Sequence, residues 1–212
     1  MKIAVIGAGN VGRALGTGWA NAGHSVIYGA RDRNKPDLKA FCAQIGATAE
    51  SPGDAARAGD VVVLALPWNA AENAVKSLGE LEGKIVIDCM NPLAMKDGAL
   101  GLDRGYTTSG GETVASWLPG AKVVKTFNQV GAETMMAGAR YETRPVMFLA
   151  GDDDSAKSTV ARLAGELGFE ALDAGSLKQA RILEPFAMVW INQALLRGLG
   201  RNWAFGVIRI KD

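Results

Sequence analysis

Three glycines stand at a spacing that could hold a diphosphate: Gly7-Ala8-Gly9-Asn10-Val11-Gly12 fits G-x-G-x-x-G. The flanks give the pattern its meaning. An apolar run, Lys2–Ile6, precedes it, and Asn10–Ala22 follows with Val11, Leu15, Trp19 and Ala22 at helical spacing. In such a strand–turn–helix each glycine has its own task. Gly7 permits the tight turn, Gly9 lets a pyrophosphate reach the backbone, and Gly12 lets the helix pack close to the strand. The helix start then offers free N–H groups and a partial positive charge to phosphate.

A second cluster bears on which dinucleotide is bound. NAD-binding chains carry an Asp or Glu about 20 residues further on, at the end of the second strand, to hold the ribose 2′-hydroxyl. Here that stretch reads Tyr28-Gly29-Ala30-Arg31-Asp32-Arg33. Ala30 leaves space, and the Arg31 guanidinium can pair with a 2′-phosphate in bidentate fashion. Arg33 and Lys35 add charge. The stretch therefore favours NADP (NADPH) over NAD. Two other readings stand: Asp32 reaching a ribose hydroxyl, and Arg31 as an ordinary solvated charge.

Two further segments follow apolar runs. Leu66-Pro67-Trp68 comes after Val61–Ala65, and Cys89-Met90-Asn91-Pro92 after Ile85–Asp88. Carboxyl ends of strands are where open α/β sheets bind ligands. Pro67 fixes a turn. Trp68 either packs along the cofactor or serves the structure. Asn91 either bonds the nicotinamide carboxamide or is a turn residue before proline.

Stepping out to the elements, strand-like and helix-like segments alternate along the chain, which predicts an α/β fold with a doubly wound, mostly parallel sheet of the Rossmann type. The remaining expected strands are Ser25–Tyr28, Lys122–Thr126, Val146–Ala150 and Phe169–Leu172. Helices are expected over Lys35–Ile45, from Ser51, over Asn69–Leu78, Thr113–Leu118 and Asp153–Leu167, and from Leu177 to about Leu199. Residues Pro92–Gly111 read as an irregular, glycine-rich connection, long enough to be functional. The expected division is a dinucleotide-binding domain over 1–172 and a small helical extension over 173–212.

The chain has 212 residues and a net charge of +1, which carries no electrostatic footprint for nucleic acid or an anionic membrane. Its apolar runs are too short to span a bilayer, and the first residues run straight into a strand rather than a signal peptide, so a cytoplasmic location is expected. The two cysteines, Cys42 and Cys89, match no zinc or redox spacing and read as buried thiols. The single His24 suits a local hydrogen bond. No Ser-His-Asp set, Cys-His pair or metal cluster stands out, so neither a catalytic side chain nor a metal is assigned. Lys125 is the one base candidate near a strand end, and a surface or salt-bridged role fits it better. This inventory suits direct hydride transfer, where orientation and exclusion of water dominate, more than alcohol oxidation, which needs a positioned base.

Taken in order, Gly7–Gly12, Tyr28–Arg31, Leu66–Trp68, Val124-Lys125-Thr126-Phe127-Asn128, Gly151–Lys157 and Leu172–Leu177 resemble the NADP-dependent oxidoreductases that reduce the deazaflavin coenzyme F-420 (hereafter F420). They resemble equally the cytosolic oxidoreductase domain of the six-transmembrane metalloreductases. The resemblance covers nearly the whole chain. It implies hydride transfer between NADPH and F420 or a flavin such as FMN or FAD, often in a homodimer. It places Gly9, Asn10 and Val11 at the pyrophosphate, Ala30 and Arg31 at the 2′-phosphate, and Pro67 and Trp68 beside the nicotinamide half. A histidine of the archaeal deazaflavin enzymes is replaced here by Phe127. The Phe127-Asn128 pair looks more like the metalloreductase version. Phe127, Asn128 and Val130 are the expected wall for the second substrate, a small-molecule electron acceptor.

The C-terminal helix carries Ile182, Leu183, Phe186, Met188, Val189, Trp190, Leu195 and Leu196, too many apolar faces for one exposed helix. Packing on a second subunit is expected, with burial on the chain's own sheet as the alternative. Two other functions stay open: an NADP-dependent reductase of a small carbonyl or imine, and a non-catalytic NADPH-sensing module.

Overall fold

A computed structural model describes residues 1–136 and 138–210. The short, β-rich run Lys2–Ile6 forms β1, and the chain then alternates as the apolar pattern dictates. Helix α1 (Asn10–Asn21), β2 (Ser25–Gly29), α2 (Pro36–Ile45), β3 (Thr48–Glu50), α3 (Pro52–Ala58) and β4 (Val61–Leu64) complete the first half. Next come α4 (Trp68–Lys76), β5 (Ile85–Asp88), β6 (Leu93–Lys96), β7 (Ala99–Leu102), α5 (Gly110–Trp117), β8 (Lys122–Lys125) and α6 (Ala132–Met135). The chain continues through β9 (Val146–Gly151), α7 (Asp154–Glu166), β10 (Glu170–Gly175) and α8 (Ala180–Ile191).

Eight strands form one sheet in the order β10-β9-β8-β5-β4-β1-β2-β3. Only the β8–β9 pairing is antiparallel, so β9 and β10 run against the rest. The sheet is doubly wound and mostly parallel, as expected. Alternate residues feed the two faces. Ile3, Val5, Val61 and Val63 pack with α1, α2 and α7, whereas Ala4, Ile6, Val62 and Leu64 pack with α3, α4 and α5. The four residues of β4 are fully buried, each worth about 1.5–3 kcal/mol. No helix among the described residues is long and apolar enough to cross a membrane.

The sequence expectations depart from this structure in several places, and strand β3 and helix α6 match no expected element. The connection 92–111 is not irregular throughout: β6 and β7 form an antiparallel hairpin closed by Asp97 and Gly98, both at positive φ. The helix expected from Thr113 starts earlier, at Gly110, because Ser109 caps it by accepting from the Glu112 N–H. Strand β10 runs to Gly175, so the division expected at residue 172 falls inside it. The C-terminal helix follows its expected span closely, with a 3-10 turn before α8 and a π turn, Asn192–Leu196, after it. Gly198 and Gly200, both at positive φ, stop it.

Candidate functional site

The carboxyl ends of β1, β2, β4, β5 and β8 lie along one edge of the sheet. Strand order reverses at β1, whose sequential partner β2 lies on one side and β4 on the other. That reversal opens the crevice in which open α/β sheets take ligands. Backbone bonds running past the strands stack the loops there: Gly7 N–H to Gly29 O at 3.3 Å, Ala65 N–H to Ile6 O at 3.0 Å, and Cys89 N–H to Leu64 O at 3.2 Å.

The glycine turn fills the mouth of the crevice. Gly7 has φ +108°, and a Cβ there would meet Ala65 O at 2.3 Å. A Cβ on Gly12 would meet Gly7 O at 2.0 Å. Gly9 differs. Its φ is an ordinary −80°, and a Cβ would meet nothing within 4 Å. The outer two glycines are thus required by the fold, and the middle one faces open space. Gly9 also caps α1 without any side-chain hydrogen bond, so the first N–H groups of the helix, from Asn10 and Val11, stay available to an anion. The cradle therefore fits a diphosphate.

Two side chains to which the sequence reading gives no role in the turn hold it. Arg13 Nε donates to Ala8 O at 3.0 Å, its guanidinium bonds Asp37 at 2.9 Å, and it lies 4.7 Å from the Phe41 ring centre. The buried Tyr28 hydroxyl donates to Gly12 O at 3.1 Å. A Cβ on Gly16 would strike that hydroxyl.

At the end of β2 the cations are not equivalent. Arg33 pairs with Glu50 at 2.8 Å, and Lys35 lies 3.6 Å from Asp37. Among the described residues Arg31 has no carboxylate partner. It is exposed just past the half-buried Ala30. Among the described residues Arg31 is therefore the cation here without a carboxylate partner, whereas the Arg33–Glu50 pair is exposed at the surface.

On the other side of β1, Leu66 and Pro67 carry the chain into α4. Trp68 opens that helix, stacked on Trp117 at 5.6 Å, with its indole N–H donating to Asp103 at 3.2 Å. Asn91 is held by Asn128. Asn91 Nδ2 donates to Asn128 O at 2.8 Å, and Asn128 Nδ2 donates to Asn91 Oδ1 at 3.0 Å and to Leu183 O at 3.1 Å. Gln129, also missed, bonds Asn128 Oδ1 at 3.1 Å and the backbone of Phe148. The half-buried Asn91 keeps one N–H uncommitted.

The three residues expected to form the acceptor wall are all buried in this structure. Phe127 is fully buried at φ +56° and packs edge-on against Trp19 and Phe169, 5.7 and 6.1 Å away. The left-handed backbone turns its ring into the core, so it has no surface to offer a substrate. Asn128 and Val130 are buried too. Asn128 holds Asn91 in place through their paired hydrogen bonds.

Behind these loops sits a buried charge cluster. Lys125 Nζ lies 3.0 Å from Asp88 and 2.9 Å from Glu184, and also donates to Met90 O. Asp88, Lys125 and Glu184 are all essentially inaccessible. Glu184 reaches from α8 to accept from the Gly110 and Gly111 N–H groups at 2.8 and 3.0 Å, at the positive end of α5. Burial alone would push the Lys125 ammonium down, but Asp88 and Glu184 outweigh it and hold its pKa above the ordinary value. A lysine held charged is no general base, so its salt-bridged role is the one seen. His24 pairs with Glu166 at 2.7 Å, before β2 and thus at the opposite edge of the sheet. Among the described residues no group of three His, Cys, Asp or Glu could hold a metal.

The chain is similar to known proteins. A family model described as "NADP oxidoreductase coenzyme F420-dependent" matches residues 2–92. The chain is 32% identical over 205 residues to the F420-dependent NADP reductase of Methanocaldococcus jannaschii, covering 90% of this chain and 91% of that protein. It is 32% identical over 188 residues to the metalloreductase STEAP3 of Rattus norvegicus, covering 88% of this chain but spanning only 36% of that relative. Among solved structures, a putative F420-dependent NADP-reductase from Arthrobacter superposes with a TM-score of 0.90 at 32% identity, over 99% of this chain and 100% of that one.

Proposed function

The chain belongs to the F420-dependent NADP reductase family and is an NADP-dependent oxidoreductase, and on that premise we propose that it passes a hydride between NADPH and a ring acceptor, F420 or a flavin. The observation that carries this reading is the asymmetry of the glycine turn: two positions closed by backbone, the middle one open, beside an Arg31 with no carboxylate partner among the described residues. Bound NADPH would supply a hydride from its nicotinamide ring, which a flavin-type ring stacked against it accepts. The protein's part is positional. Gly9, Asn10 and Val11 hold the diphosphate, with Gly7 and Gly12 shaping the turn. Ala30 and Arg31 take the 2′-phosphate, and Lys35 adds charge. Leu66, Pro67 and Trp68 wall the nicotinamide half. Asn91, oriented by Asn128, offers its remaining N–H to the carboxamide.

In this reading residues 1–172 bind the dinucleotide and residues 173–212 close the acceptor side. A homodimer goes with it, supported by the exposed stripe Ile182, Val189 and Leu196 on the C-terminal helix. A concentration-independent monomer in sedimentation would remove the dimer. The function is tested by following NADPH absorbance as F420, FMN or FAD is added. Oxidation with one of these is expected. Oxidation only with carbonyls or imines, or tight NADPH binding without turnover of any acceptor, would overturn the proposal.

A further inference from the structure

Beside the dinucleotide crevice lies a pocket of about 450 Å³ between the loop after β7 and the α8 residues Pro185 and Met188, with Lys96 at its rim. It adjoins the strand-end loops already described. Asp103 N–H donates to Pro92 O at 2.6 Å, Asp103 accepts the Trp68 indole, and the Arg104 guanidinium lies 5.8 Å from the Trp68 ring centre.

Three features there bear on what the pocket could take. Arg104 is a half-exposed side chain in a loose ion pair, its Nε 3.7 Å from Asp103 Oδ2, and that Nε has no hydrogen-bond partner among the described residues. An unpaired donor on a permanent cation gains from an acceptor that completes it. The Tyr106 side chain is 97% exposed on a left-handed backbone of φ +57°. Such a conformation is uncommon for a bulky residue, and strain of this kind gathers at ligand sites. Lys96 Nζ donates to Asp103 O at 3.3 Å and keeps two further N–H donors.

We propose that this pocket binds the phosphate on the side chain of the ring acceptor, with the exposed edge of the Arg104 guanidinium gripping it, Lys96 adding charge and Tyr106 covering the chain that bears it. This rests on the reading of the acceptor as a flavin or deazaflavin. The chemistry is that of a planar guanidinium fork meeting phosphate oxygens.

FMN and riboflavin differ only by such a phosphate. With NADP+ saturating, so that no hydride can move, quenching of tryptophan fluorescence gives the dissociation constant of each. The wild type is expected to bind FMN about tenfold more tightly than riboflavin, as one charge-assisted hydrogen bond requires. Arg104→Met should erase that preference while leaving riboflavin and NADP+ affinities in place, and Arg104→Lys should restore part of it. F420 and its phosphate-free deazariboflavin core repeat the test. Equal binding within both pairs, a preference surviving Arg104→Met, or no binding of any of the four overturns the site. Binding with the expected preference, but no NADPH oxidation, would leave the site standing and sink the hydride-transfer reading instead.

Discussion

Replacing Gly9 by Ala and Gly12 by Ala separates ligand space from packing space within one turn. Gly9 has an ordinary φ of −80°, and a new methyl would touch nothing within 4 Å. Ala is a poorer helix cap than Gly by several tenths of a kcal/mol, and the lost flexibility of the unfolded chain offsets about 0.4–1 kcal/mol. The melting temperature of Gly9→Ala should therefore stay within a few degrees of wild type. Its methyl, however, stands where a diphosphate approaches the helix start. Losing one or two charge-assisted bonds of about 2 kcal/mol each weakens NADPH binding by a factor of about 30–1,000. Gly12→Ala reverses the pattern. Its Cβ would lie 2.0 Å from Gly7 O, a backbone clash that no rotamer relieves. Overpacking of this sort costs about 1–3 kcal/mol or more, roughly 2–12 °C for a chain of this size. Calorimetric titration with NADP+ and a thermal melt on each variant read both quantities. Unchanged NADP+ affinity in Gly9→Ala, with the protein folded, would refute the placement of the diphosphate.

Other perturbations probe the remaining parts. Arg31→Glu should raise the KM for NADPH about tenfold with little change for NADH, and the difference should shrink in high salt because Arg31 is exposed; equal effects on both nucleotides would remove the selectivity claim. Lys125→Met leaves Asp88 and Glu184 buried without their cation, at a cost of about 3–5 kcal/mol. Thermal melts beside wild type read that cost, and an unchanged melting temperature would refute the stabilising role of the cluster. Burial, reinforced by the Asp88 charge, raises the Cys89 thiol well above its usual range. A group raised on folding loses its stabilising contribution as pH climbs past the unfolded value of about 8.5. Wild type should therefore lose melting temperature above that pH more steeply than Cys89→Ala, and parallel curves would contradict this.

Much of the framework was legible because its causes are local. The β1–turn–α1 unit, the uninterrupted apolar run of β4 and the Ala30-Arg31 end of β2 are each written in adjacent residues. Two missed elements also had local signals. Asp97-Gly98 between two short apolar runs is a hairpin turn, and Ser109-Gly110-Gly111-Glu112 is a capping box, with Ser109 Oγ and the Glu112 carboxylate bonded at 2.7 Å. Phe127 misled for a different reason. It follows a strand end, where site residues gather, yet its positive φ turns it inward beneath Trp19. The partnership of Lys125 with Glu184 left no pattern to read, since a single carboxylate on an apolar helix looks like a solvated residue until the fold places it.

That partnership constrains how an acceptor can arrive. Helix α8 forms one side of the Arg104 pocket through Pro185 and Met188, so swinging it outward would be the simplest way to admit a large ring. Its adjacent residue Glu184 forbids this. Moving α8 would strip the carboxylate from Lys125 and from two N–H groups at the start of α5, leaving buried charge unpaired at several kcal/mol. The same motion would take Leu183 O from Asn128, one of the bonds that fix the side chain holding Asn91. The wall is therefore fixed, and the loop holding Arg104 and Tyr106, attached mainly through Asp103, is the element that can yield. Entry past Tyr106 leaves the alignment of Asn91 intact during each exchange of acceptor, which a hydride transfer that depends on orientation requires.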